Sequence, residues 1–326
     1  MNYRKFGNTD LLVSEIGFGS WAIGGGAMIG KTAIGWGNSD DTTSREAIYK
    51  AVESGINFFD TADIYGLGHS EELIGNTISK NKEIIIATKV GNVSRNDQFT
   101  FDYSKDYILN ACDASLKRLK REVIDYYQLH TARLPHLQNG DCIEAMELLQ
   151  QKGKIRYWGL SLNTFDPFPE THYLMENKLG SGFQLVLNII NQKALPLIKK
   201  ASSLGYGIIA RMPLQFGLLT GKFDKGTNFS DNDHRKGRLT TEIIDTYKEN
   251  MEPIWALCEK YQVTKAQLAL SYILNYHEVS TVIPGMRTPS HVETNTSEII
   301  KIAKEDMELM ESADFSALMD LMIKQG

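Results

Sequence analysis

Three short apolar runs each end on, or one residue short of, a side chain that can hold charge or a proton. In FFDTADIYGLGHSEELIG, IIIATKVG and YYQLHTA these side chains are Asp60, Lys89 and His130, and Tyr65 follows the first of them closely. Apolar runs of this length are buried strands, so a polar residue at the end of one faces something other than core. A free phenol, with a pKa near ~10, is protonated at pH 7 but a sluggish donor. An ammonium about 4 Å away is worth roughly 4 kcal/mol at an effective dielectric of ~20, enough to lower the phenol's pKa by about three before burial opposes it. Lys89 can supply that field, Asp60 can keep Lys89 charged, and His130 can donate an imidazole N–H to a carbonyl oxygen. Singly, a strand-end Lys–Asp pair or a backbone-satisfied His is ordinary structure. Gathered in one cavity, the four can protonate a carbonyl oxygen at neutral pH.

The elements that must gather them are legible as an alternation. Apolar runs at Ile16–Gly19, Phe58–Asp60, Ile84–Lys89, Tyr126–His130, Trp158–Ser161, Phe183–Leu187, Gly207–Arg211 and Thr281–Pro284 alternate with helical stripes such as Asp41–Ser54 and Lys265–Asn275. Eight strand-then-helix units imply parallel strands and a closed (β/α)8 TIM barrel, whose strand C-termini meet at one face. Tyr3–Phe6 and Leu11–Val13 predict an N-terminal hairpin cap, and a helix is expected from about Glu242 to Tyr261. The stripe Phe315, Leu318, Met319, Met322 predicts a C-terminal helical extension packed on the barrel. No linker-like segment interrupts residues 1–326, which are read as a single domain.

Composition narrows the function. A formal net charge of −5 argues against a general nucleic-acid surface, and no apolar run reaches the ~20 residues of a membrane span. The expected partner is a small molecule, and the expected setting is cytoplasmic. Cys112, Cys142 and Cys258 lack metal-ligand spacing, so no metal is expected, and the first two read as core residues in a reducing compartment. The basic run Arg235, Lys236, Arg238 within the polar segment Phe223–Leu239 reads as a solvated loop. GGAMIGKT (Gly25–Thr32) matches a phosphate-loop pattern, but the two glycines and lack of a helical stripe after it make nucleotide hydrolysis a remote alternative. Trp21 or Trp36, beside this Gly-rich loop, is expected to line the substrate cavity.

The motif D-x-A-x-x-Y-G-x-x-x-S-E (Asp60, Ala62, Tyr65, Gly66, Ser70, Glu71), followed by Lys89 and His130 in order, resembles that of the aldo-keto reductases. The likeness runs from GNTDLLVSEIGFGSW to IPGMRTPSHVETN. It implies reversible reduction of an aldehyde or ketone to an alcohol, with Tyr65 as general acid and the hydride drawn from a nicotinamide, because no side chain supplies hydride. The resemblance places the dinucleotide along later strand ends. Ser161, Asn163 and Gln184 would meet the carboxamide, Leu214, Gly217, Leu219 and Lys222 the pyrophosphate, and Gly285, Arg287, His291 and Asn295 the adenosine end. Arg211 stands where relatives place an aromatic ring on the nicotinamide, and His291 and Thr294 also depart from the common pattern. Arg287, aided by a protonated His291 toward about pH 6, favours NADPH, with NADH the alternative cofactor. A regulatory subunit that binds dinucleotide, of the potassium-channel β-subunit type, is the competing reading.

Overall fold

The computed structural model describes residues 1–224 and 226–325. Eight parallel strands run β1 (Phe18–Gly19), β2 (Phe58–Asp60), β3 (Ile85–Val90), β4 (Ile124–His130), β5 (Ile155–Ser161), β6 (Gly182–Val186), β7 (Gly207–Arg211) and β8 (Thr281–Ile283), hydrogen-bonded in that order. Parallel bridges Ile16↔Val282 and Gly19↔Gly285, with Gly17 N–H donating to the Val282 carbonyl at 2.8 Å, join β8 back to β1 and close the barrel. Helices Asp41–Glu53 and Lys265–Leu274 lie where the stripes predict them. The second opens with Thr264 and Gln267 capping each other's backbone.

Period-two alternation separates the barrel's filling from its chemistry. Phe58, Ile85, Ala87, Tyr126 and Ile209 form an inner apolar cluster with Phe6, Leu11 and Val13. The last three belong to the N-terminal hairpin (Tyr3–Lys5 with Leu12–Ser14), and Phe6 meets Tyr126 edge-on at 4.9 Å. Two residues on from Phe58, Ala87 and Tyr126 the side chains turn polar, at Asp60, Lys89 and Gln128, and Gln184 on β6 joins them, each buried to 2% exposure or less. Gly159 makes room in this interior, since a Cβ there would stand 2.0 Å from the Tyr126 hydroxyl.

Three additions sit around the strand C-termini. The loop after β1 contains a hairpin, Met28–Ile29 against Thr32–Ala33, that turns at Gly30 (φ 56°) and Lys31. No helix starts at Lys31, so the phosphate-loop pattern lacks its structure. Lys31→Ala is expected to leave pyridine-nucleotide binding intact, and the protein to show no ATPase activity. ATP turnover that disappears in Lys31→Ala would contradict this. A second hairpin, Asn92–Arg95 with Gln98–Phe101, follows β3. The segment after β7, whose residue 225 lies outside the described residues, carries a short helix at Arg235–Arg238 and leads to the long helix Thr241–Tyr261. The C-terminal helix Ser316–Gln325 buries Leu318 and Met322 against this assembly, as the stripe predicts.

Candidate active site

Lys89 lies at the centre of the polar layer. Its ammonium donates to Asp60 Oδ2 at 2.7 Å, to the Thr61 carbonyl at 2.7 Å and to the Tyr65 hydroxyl at 3.3 Å. Both members of the Lys89–Asp60 pair are shut off from solvent, with side chains 0% and 3% exposed. Asp60 Oδ1 accepts from the amides of Gln184 at 2.6 Å and Gln128 at 3.2 Å, so three donors converge on one carboxylate. Gln128 escaped the sequence reading because it sits inside the apolar run that ends at His130. Tyr65 is delivered by a tight turn in which Gly66 (φ 61°) and Leu67 (φ 56°) are left-handed. A Cβ at Gly66 would stand 2.3 Å from the Gly24 carbonyl oxygen, so only glycine lets this turn press against the loop after β1. His130 faces Tyr65 edge-on at 6.0 Å between ring centroids, and its carbonyl is held by the Tyr103 hydroxyl at 2.5 Å.

The electrostatics correct one expectation. Burial raises the pKa of Tyr65 and outweighs the opposing Lys89 ammonium, so the phenol stays protonated. Burial alone would strip Lys89 of its proton, but Asp60 and Tyr65 more than restore it and its pKa is raised. His130 is driven well below 6.5 by burial and then by Lys89 and Arg211. It is neutral, and its Nδ1 is buried without a partner. With Nδ1 as the acceptor nitrogen, the ring proton is assigned to Nε2.

The remaining residues expected at the site line the rim from β5 to β8. Ser161 Oγ donates to Gln184 Oε1 at 3.4 Å, so Gln184 faces Ser161 with its oxygen and Asp60 with its nitrogen. Asn163 spends its oxygen on the Phe165 and Asp166 backbone N–H groups. Arg211 donates to the Leu162 carbonyl and Thr164 Oγ1. Leu214, Gly217 and Leu219 lie on an irregular turn after β7 in which Gln215, Phe216 and Gly217 all have positive φ. Lys222 is exposed, and Asn295 is buried with its amide toward the Gly285 carbonyl at 3.5 Å. Arg287 donates to the Trp36 carbonyl at 3.4 Å. His291 has its pKa lowered by burial and then by Lys222, Arg287 and Arg235, which disfavours the protonated form expected near pH 6.

The run Arg235, Lys236, Arg238 departs from a solvated loop. Lys236 is exposed, but Arg235 pairs with Asp233 at 2.5 Å and lies over the rings of Trp36 (4.8 Å) and Phe229 (4.6 Å). The two long loops clasp each other here: His234 N–H donates to the Gly35 carbonyl at 2.9 Å, and Trp36 bridges Asp233. Trp21 stacks on Tyr65 at 5.8 Å, so it does border the site. Among the described residues no helix is long and apolar enough to cross a membrane.

Known proteins resemble this chain over most of its length. Aldo-keto reductase YhdN of Bacillus subtilis (strain 168) is 30% identical over 307 residues, spanning 90% of this chain and 87% of the relative. The NADH-specific methylglyoxal reductase of Escherichia coli (strain K12) is 28% identical, spanning 95% and 97%. The holo form of aldo-keto reductase AKR11C1 from Bacillus halodurans superposes with a TM-score of 0.77 at 27% identity, covering 97% of each chain. With the Aldo/keto reductase family model matching residues 15–314, the chain belongs to that family of nicotinamide-dependent oxidoreductases acting on carbonyl compounds.

Proposed function

We propose that the protein reduces an aldehyde or ketone to the alcohol with NADPH, and catalyses the reverse, at Tyr65, Lys89, Asp60 and His130. The observation that carries this reading is the single ammonium of Lys89 shared between Asp60 at 2.7 Å and the Tyr65 hydroxyl at 3.3 Å. A nicotinamide cofactor, when bound, supplies hydride to the carbonyl carbon. His130 Nε2–H orients the carbonyl oxygen, Tyr65 gives that oxygen its proton, and the phenolate left behind is stabilised by Lys89. Residues 1–326 would act as one catalytic barrel in the cytoplasm.

The rim suits a phosphate-bearing dinucleotide. Lys222, Arg287 and Arg235 lie close enough together to act jointly on His291, whose Nδ1 is buried without a partner. Asn163 and Gln184 would hold the carboxamide, with Ser161 orienting Gln184. Arg211 would stack on the nicotinamide through its planar guanidinium. Leu214, Gly217, Leu219 and Lys222 would follow the pyrophosphate, and Gly285, Arg287, His291 and Asn295 the adenosine. The cheapest test is a panel of aldehydes and ketones with cofactor oxidation followed by absorbance. Tight cofactor binding without turnover of any carbonyl would favour the regulatory-subunit reading instead.

Family membership leaves the choice of cofactor open, since one relative is named NADH-specific. Arg287 decides it on our reading. A charge-assisted contact with the 2′-phosphate is worth roughly 1.5 to 3 kcal/mol, so NADPH is expected to bind about ten- to a hundredfold more tightly than NADH. Titration of both cofactors into wild type and Arg287→Ala tests this. Equal affinities in wild type, or a preference that survives in the variant, would remove Arg287 as the selector.

A further inference from the structure

Beside Tyr65 lies a cluster of buried donors and guanidinium groups without a carboxylate of its own. Arg211 Nε, His234 Nε2 and Trp36 Nε1 are all buried without a partner. Buried N–H groups are ordinarily satisfied, and the Trp36 and His234 rings are neighbours 4.8 Å apart, so these donors suit an acceptor brought from outside. The state of His234 is fixed by its neighbour. Arg238 Nη1 lies 3.1 Å from His234 Nδ1, and a guanidinium only donates, so Nδ1 accepts and the ring proton sits on Nε2. Burial, then Arg238, pushes the His234 pKa down to about 3, so the ring is neutral.

The pocket adjoins the proton donor. Trp21 is nearly parallel to both Tyr65, 5.8 Å away, and His234, 4.3 Å away, while Trp36 and Phe216 close on the His234 ring at 4.8 and 4.9 Å. Its charge is unbalanced. Arg211 contacts the Leu162 carbonyl, Thr164 Oγ1 and Met212 Sδ, and Arg238 contacts His234 and the Phe216 ring at 5.5 Å. Among the described residues neither guanidinium has a carboxylate ion pair, whereas neighbouring Arg235 has Asp233. Arg238 also helps burial to lower the pKa of Arg211.

We propose that this pocket binds an anionic group on the substrate, so that the reductase prefers carbonyl compounds that also carry a carboxylate, with Arg238, His234 Nε2 and Arg211 Nε meeting the anion. The proposal rests on the reductase reading above. The aromatic rings would cover the carbon skeleton between the two groups. A guanidinium can stack by its face and donate from its edge, so Arg211 can serve both nicotinamide and anion. The phosphates of the cofactor would have their own cationic group at Lys222, Arg287 and Arg235.

The test compares 4-carboxybenzaldehyde with 4-carbamoylbenzaldehyde, which has the same shape without the charge, using saturating NADPH. The expected result is a kcat/KM about tenfold or more higher for the carboxylate, expressed mainly in KM. Arg238→Gln should bring that ratio close to one, His234→Phe should lower it, and Arg238→Lys should retain most of it. NADPH affinity, read by fluorescence titration, should stay within about twofold in Arg238→Gln. A phosphate arm, glyceraldehyde 3-phosphate against glyceraldehyde, shows whether the pocket takes phosphate in place of carboxylate. A larger preference in that arm would overturn the carboxylate assignment. Equal rates for the carboxylate and the amide in wild type would overturn the proposal. So would Arg238→Gln weakening NADPH tenfold with the ratio unchanged, which would give the pocket to the cofactor. If no carbonyl is turned over, the reductase reading fails, and calorimetry of benzoate against benzamide on the NADP⁺ complex tests the anion site alone. Equal or absent binding of both would overturn it.

Discussion

Tyr65→Phe is expected to lower the reduction rate on the order of 10²-fold or more while cofactor affinity changes little. The variant keeps the ring that stacks on Trp21 and loses only the hydroxyl. No other group is equivalent as a proton source. His130 is neutral and in the proposed mechanism orients the oxygen, and Lys89 directs donors at Asp60 and the Thr61 carbonyl. The check is kcat under conditions where chemistry limits the rate, alongside a fluorescence titration of cofactor. Near wild-type turnover in Tyr65→Phe would remove it from the role of acid.

Lys89→Met is expected to damage both fold and function. It leaves Asp60 as a buried carboxylate with two amide donors and no counter-charge, and breaking a buried pair from one side costs about 3–5 kcal/mol. It also removes the cation that stabilises the phenolate, so the pKa of Tyr65 should rise further and the reverse, alcohol-oxidising direction should suffer most. Asp60→Asn should act in the same direction but less, because the ammonium keeps the Thr61 carbonyl and the Tyr65 hydroxyl. Urea denaturation and pH–rate profiles of the two variants measure these effects. Unchanged profiles in both would leave the pair with a structural role only.

The parts of the fold legible in the sequence are those where burial writes an apolar run. β2 and β7 end where the runs end, at Asp60 and Arg211, because the switch from apolar to polar marks the level where packing gives way to cavity. β5 begins earlier than its run, at Ile155, since Arg156 and Tyr157 at the barrel's base pair with Asp10 and carry no apolar signal. The hairpin Asn92–Phe101 was missed for the same reason: much of it is polar and exposed. Its turn at Asn96 and Asp97, both with positive φ, was the available cue. The proposed catalytic quartet was readable because each member is tied to a strand end or to the turn after one. Burial of His234 and Arg238 was not, because what covers them is Trp21, Trp36 and Phe216, brought from distant segments by tertiary folding alone.

The central claim, that Tyr65 and not His130 gives the proton, is tested most directly by the pH dependence of single-turnover carbonyl reduction in the wild-type enzyme. An acid works only while protonated, so activity is lost as pH rises through its pKa in the folded protein. Burial holds Tyr65 above its ordinary 10.0 and holds His130 well below 6.5. The account predicts a rate constant that is level from about pH 6 to about pH 9 and falls only in the alkaline range where a phenol ionises. A rate that falls through an inflection near pH 6.5 would identify an imidazolium as the donor and contradict the account.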